Sequence, residues 1–99
     1  MKTKKERLRE AMRIGDRFYY PRLVKNNQGG LMEETVIVPV EVVGIYANMV
    51  QVEYVNRPNF TVKTITYDNM IDSKYHYMLK GNQRIQEIAK APEIPAHKG

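Results

Sequence analysis

Few residues in this chain are able to do covalent chemistry. It contains one serine, Ser73, two histidines, His76 and His97, and no cysteine. Nucleophilic catalysis needs a nucleophile, a base and a group that orients the base. Ser73 and His76 stand three apart in a segment read as a turn leading into a strand, and His97 lies in a Pro-rich end, so no triad is assigned. The absence of cysteine removes disulfides, thiolate metal sites and a cysteine nucleophile together. Asp68 and Asp72 flank "NMI" at i,i+4 and reach a common cation if that turn is helical. The competing reading makes Asp68 the cap of the turn. Zinc needs three or four clustered ligands, and "NQGG" lacks the Lys-Ser/Thr and following helix of a phosphate loop. No catalytic residue, metal or cofactor is assigned, and a non-enzymatic protein is expected.

Recognition chemistry is better represented. The net charge is +5. Residues 1–25 hold nine Lys or Arg against three acids, whereas the remaining residues hold seven against eight. A basic leader of this kind attracts polyanions, because each neutralised phosphate releases counterions; the alternative is a solvated helix face. Arg17 and Tyr19 are expected to point away from the core on a first strand, with Arg22 and Lys25 following toward its loop. Cations interleaved with an aromatic ring are what a single-stranded nucleic-acid surface uses, the cations tracking phosphate and the ring stacking a base. Tyr46, at a hairpin tip, would join this surface, and Lys4, Lys5, Arg7, Arg9 and Arg13 would add phosphate contacts from a helix. For Tyr19 the competing role is packing on the N-terminal helix through Leu8 or Met12.

These side chains need elements to position them. Thr3-Lys4-Lys5-Glu6 matches a capping box, and Leu8, Ala11 and Met12 follow at helical spacing, with Gly15 able to close the helix. From Asp16 the periodicity becomes alternating. "RFYYPRLV" places Phe18 and Tyr20 on one side, and Pro21, which lacks a ladder donor, puts the strand at an edge or ends it there. "KNNQGG" is a loop. "ETVIVPVEVVGIY" aligns Val36, Val38, Val40 and Val42, with Pro39 implying an edge position or a bulge. "ANM" reverses the chain, and "VQVEYV" turns Val50, Val52 and Tyr54 inward. "NRPN" precedes the strand "FTVKTITY", where Phe60 and Val62 share one parity and Ile65 and Tyr67 the other, which predicts a bulge near Lys63-Thr64. "YDNMID" reads as one helical turn and "KYHYML" as a closing strand. "NQRIQEIAK" reads as a short helix, and "APEIPAHKG" as a disordered end. Tyr20, Tyr54 and Phe60 are expected in the core, with Tyr75 or Tyr77 closing the sheet.

The pattern defines a mainly β fold: a small SH3-like antiparallel barrel of four to five strands, with an N-terminal helix and a short C-terminal helix or tail. An OB-fold competes, but it usually has a longer helix before its fourth strand. The expected organisation is a basic helix over 1–14, the barrel over 15–80, and a short helix and tail over 81–99. No apolar run approaches the ~20 residues of a membrane span, the charged opening is not a secretory signal, and a cytoplasmic protein is the simplest reading.

"GDRFYYP", "VVGIYANMVQVEY" and "TITYDNMI" together resemble the small SH3-like (Tudor/KOW-like) barrel proteins carried by phages and mobile elements of Firmicutes. The likeness spans roughly Ile14 to Ile71 and implies a barrel of mobile-element origin; no catalytic motif and no settled activity come with it. The expected function is a non-enzymatic accessory protein that binds DNA or RNA through the basic helix and first strand. The alternative is a protein–protein interaction module that takes a peptide or host protein through loops and exposed strand edges. A homo-oligomer joined at the first strand's edge is a third possibility.

Overall fold

The computed structural model describes residues 2–26, 32–57 and 62–92, with side chains placed except at 24–26, 32 and 33. Helix α1, Lys4–Ala11, is followed by four strands, β1 (Arg17–Asn26), β2 (Met32–Ile45), β3 (Met49–Tyr54) and β4 (Val62–Thr66). Helix α2, Tyr67–Ile71, a 3₁₀ helix, Ser73–Leu79, and helix α3, Gln83–Lys90, follow among the described residues. The strands form one antiparallel sheet in the order β1-β2-β3-β4, curled into a half-barrel. The molecule is thus mainly β, with four of the expected four to five strands among the described residues, an N-terminal helix and a C-terminal helix.

The capping box forms as read. The Thr3 hydroxyl accepts the Glu6 amide and the Glu6 carboxylate accepts the Thr3 amide. Those bonds from Thr3, backbone first, hold the Glu6 carboxyl below its ordinary 4.5. Gly15 does not end the helix, because Met12 caps it in an extended conformation. Gly15 instead supplies the left-handed residue, φ +95°, of the turn into β1. Its amide bonds Val42 O at 2.9 Å, and Asp16 O accepts the Val42 amide at 2.8 Å, so the turn zips straight onto β2.

Alternation sets the sheet's two faces. Val40, Val42, Val50, Val52, Tyr54 and Ile65 are buried with Phe18, and Tyr20 and Val38 pack against them. Pro39 lies where the ladder pairs β2 with β1 alone, an edge position in a strand that becomes central from Val40 onward. It is tolerated because β3 ends at Tyr54, opposite Val40. Pro39 O accepts the Val55 amide, and a strand residue's N points to the same side as its carbonyl, here past the end of β3, where no ladder donor is required. The bulge expected in β4 is absent, as β4 pairs with β3 without interruption. Val62 simply faces outward. The irregularity lies in β2, between Val42 and Gly44. Phe60, the rest of "NRPN" after Arg57, the loop residues 27–31 and the "APEIPAHKG" end beyond Pro92 lie outside the described residues.

The segment expected as a closing strand is the 3₁₀ helix. Asp72 starts it by accepting the Lys74 amide at 3.0 Å. Met78 and Leu79 are buried and Tyr75 half-buried, an i, i+3, i+4 set that belongs to a helix. The helical segments lie over the open side of the curled sheet. Leu8, Met12, Tyr67, Met70, Ile85 and Ala89 share one core with the strand valines, so α1 is docked rather than free. Among the described residues no helix is long and apolar enough to cross a membrane.

Candidate nucleic-acid interface

The structure disperses the residues assigned to phosphate contact. Lys4 is turned inward: it is 8% exposed, and its ammonium donates to Ala89 O at 3.3 Å and Ala91 O at 2.5 Å. It fastens α1 to the end of α3 and is not a surface cation. Lys5 pairs with Asp68 at 3.4 Å. Arg7 and Arg9 are exposed, but residues two apart project roughly 160° from one another around a helix. Arg13 is exposed beyond the helix end. Among the described residues none of these three forms an ion pair, and they do not converge on one face.

On β1 the parity separates the remaining candidates. Arg17 and Tyr19 stand on the outer face; Arg17 Nε lies 3.4 Å from Glu41 Oε1, its cross-strand partner. Tyr19 does not pack on Leu8 or Met12. It lines an outer notch of about 360 Å³ with Ile37, Tyr77 and Lys80. Lys25 sits opposite Glu33 in the register, and its side chain is outside the described set. Tyr46 is exposed at the β2–β3 turn, where its hydroxyl donates to Gln51 Oε1 at 3.2 Å. Its ring lies across Gly44, where a Cβ would stand 2.9 Å from the ring edge, which explains the glycine. Its carbonyl accepts the Tyr67 hydroxyl at 2.9 Å.

Arg22 is different. It shares parity with Phe18 and Tyr20, so it stands on the concave face, where its guanidinium lies 5.6 Å from the centroid of the Tyr54 ring. With Val38, Pro39, Tyr54, Asn56 and Arg57 it lines a cleft of about 300 Å³. No Asp or Glu lines this cleft among the described residues. Val38 and Pro39 give an apolar wall, and Asn56 supplies one donor and one acceptor group. Behind it, burial together with the phenols of Tyr54 and Tyr77 pushes the Tyr20 hydroxyl above its ordinary 10.0. Asn56, Arg57 and the Tyr54 ring are absent from the residues picked by sequence, although counting by twos from Phe18 already sets Arg22 on the Tyr54 side.

The cation and acid–base candidates resolve into structural roles. Thr66, not Asp68, caps α2, its hydroxyl accepting the Asn69 amide at 3.1 Å. Asp72 caps the 3₁₀ helix, and a His76 ring nitrogen lies 3.2 Å from Ile71 O. No group of three or more His, Asp or Glu among the described residues is placed to hold a metal ion. No protein family, curated protein or solved structure matches this chain.

Proposed function

We propose that the protein is a non-enzymatic accessory protein that binds single-stranded nucleic acid in the concave cleft at the end of β3. The observation that supports this reading is the Arg22 guanidinium 5.6 Å over the Tyr54 ring, in a cleft that Arg57 and Asn56 also line and that no carboxylate among the described residues does. A planar guanidinium offers its outer face to a base and its N–H edge to a phosphate. Val38 and Pro39 bound the pocket on its apolar side, and Asn56 provides a hydrogen-bonding group for a base edge. The site first read from the sequence is thereby moved: Arg22 stays, while Arg17, Tyr19 and Tyr46 leave the stacking surface. The excess cation in residues 1–25 acts at range, drawing the polyanion toward the domain.

Binding of this type carries little sequence information and weakens steeply with salt. The test is a fluorescence-anisotropy titration of labelled single-stranded DNA and RNA at ~50 mM salt, repeated at rising salt. Affinity for at least one that falls linearly on a log–log plot is the expected result. No binding to either at the lowest salt sinks the reading.

A further inference from the structure

We propose that the outer face of the β1–β2 ribbon is a self-association surface whose occupant is a second copy of this chain. β3 pairs with β2 only from Val40 onward. From the Tyr20–Val38 pair outward, the ribbon is therefore two strands wide among the described residues, and a two-stranded ribbon gains stability when a partner covers it. Its outer face is apolar where solvent-facing positions are ordinarily polar. Tyr19 stands opposite Pro39, Pro21 opposite Ile37, and Leu23 opposite Thr35. Leu23 is 59% and Ile37 49% exposed, and Tyr77 adds to the patch from the flanking 3₁₀ helix at 40%.

The register selects a copy of the same chain. An isologous interface must be complementary to itself. A twofold axis parallel to the strands lays β1 of one copy on β2 of the other at the same level. Tyr19 then meets the second copy's Pro39, Pro21 its Ile37, and Arg17 its Glu41, each contact occurring twice. The Arg17–Glu41 pair within each copy, 3.4 Å apart, becomes a square of alternating charge across the interface. An axis perpendicular to the strands through the apolar patch carries each Arg17 away from the other copy's Glu41, so this match is lost. The face is narrow, so the association belongs to the weak class of small interfaces. Pro21, which lacks an amide donor, argues for packing through the face rather than edge-to-edge pairing at β1.

The test is sedimentation of the full chain from roughly 10 µM to 1 mM, with circular dichroism confirming that each variant is folded. Monomer–dimer exchange is expected, weakened roughly tenfold or more by Ile37→Glu, a half-exposed site whose change leaves the core intact. Arg17→Glu alone and Glu41→Arg alone each place like charges across the axis and are expected to be monomeric. Mixed together, the two variants restore both opposite-charge contacts and are expected to associate. A monomer throughout the range overturns the proposal, as does a dimer indifferent to Ile37→Glu. A mixture of the two charge variants no tighter than either alone also overturns it.

Discussion

Lys4 and Arg84 each cap the helix that carries the other. Lys4, in the first turn of α1, donates to Ala89 O and Ala91 O at the end of α3. Arg84, in the first turn of α3, donates from Nε and Nη2 to Ala11 O at the end of α1, at 3.2 and 2.9 Å. Two antiparallel helices of eight residues each would be marginal alone. Here each receives a cation at its negative C-terminal end, where leftover carbonyls have no helical partner. Arg84 also grips Asp16 Oδ2 at 2.5 Å, and Asp16 in turn accepts the Arg13 amide at 2.8 Å. The helix pair is thereby tied to the turn that starts β1.

Replacing Lys4 with Met keeps most of the packing but leaves the α3 carbonyls without their donor. The expected cost is about 1–3 kcal/mol, a fall in Tm of roughly 4–8 °C per kcal/mol for a domain of this size. Arg84→Met is expected to cost a similar amount, and the double variant less than the sum, since both bonds hold the same pair of helices. Urea melts of the four proteins measure this directly. Conversely, nucleic-acid affinity should not follow Lys4, whose ammonium is already engaged.

Period-two counting located the strands because Phe18, Val40, Val50, Val52 and Ile65 fill one side of a sheet covered on that side alone. It misled where burial did not come from alternation. Tyr75 and Tyr77 alternate like strand residues, yet the buried members of that segment are Met78 and Leu79, placed by the Asp72 cap. Pro39 kept to an edge position, but which neighbour was missing could not be read, because where β3 stops is not written near Pro39. The buried role of Lys4 was equally hidden, since its acceptors lie 85 and 87 residues away and a lysine in a basic run gives no local sign of it. The cleft was half legible: Arg22 had the right type and the parity of Phe18, but Asn56 and Arg57 join it only through the β2–β3 register.

Asp72 and Asp68 provide a contrast between a cap and an exposed ion pair. Asp72 accepts the Lys74 amide, so Asp72→Ala is expected to cost about 1 kcal/mol. Asp68 meets Lys5 at 3.4 Å in the open, and Asp68→Ala should fall within about 0.5 kcal/mol of the parent. Denaturant midpoints that reversed this order would show that the Lys5 contact, not the cap, organises α2 and the 3₁₀ helix.

Tyr67 gives the molecule an alkaline limit. Its side chain is buried and its hydroxyl donates to Tyr46 O, and burial pushes its ionisation above the ordinary 10.0. The folded state therefore holds this proton more tightly than the unfolded chain does. The resulting stability is fully present below pH 10 and is lost as pH rises through the folded-state value. Tyr67→Phe should cost about 1 kcal/mol at neutral pH, because the Tyr46 carbonyl loses its donor. In the same variant, the decline of stability above pH 10 should become shallower. Melts at neutral and alkaline pH compare the two proteins, and an unchanged alkaline slope would place the limit at other groups, Tyr20 among them.

If the proposed reading holds, the cleft and the basic leader make separable contributions to nucleic-acid binding. Arg22 lies over Tyr54 and lines the pocket with Arg57, so Arg22→Gln removes both a stacking plane and a cation for phosphate. The slope of log affinity against log salt should fall by about 0.7 for each phosphate of the single strand that is no longer neutralised. Removal of the stack should weaken binding further at every salt concentration, by about 1–3 kcal/mol. Replacing Arg7, Arg9 and Arg13 with Gln removes cations that point in different directions. That change should slow association at low salt and leave affinity nearly unaltered at high salt, where range effects are screened. If instead the triple variant abolishes binding while Arg22→Gln is silent, the strand lies along α1 and the cleft has no part in holding it.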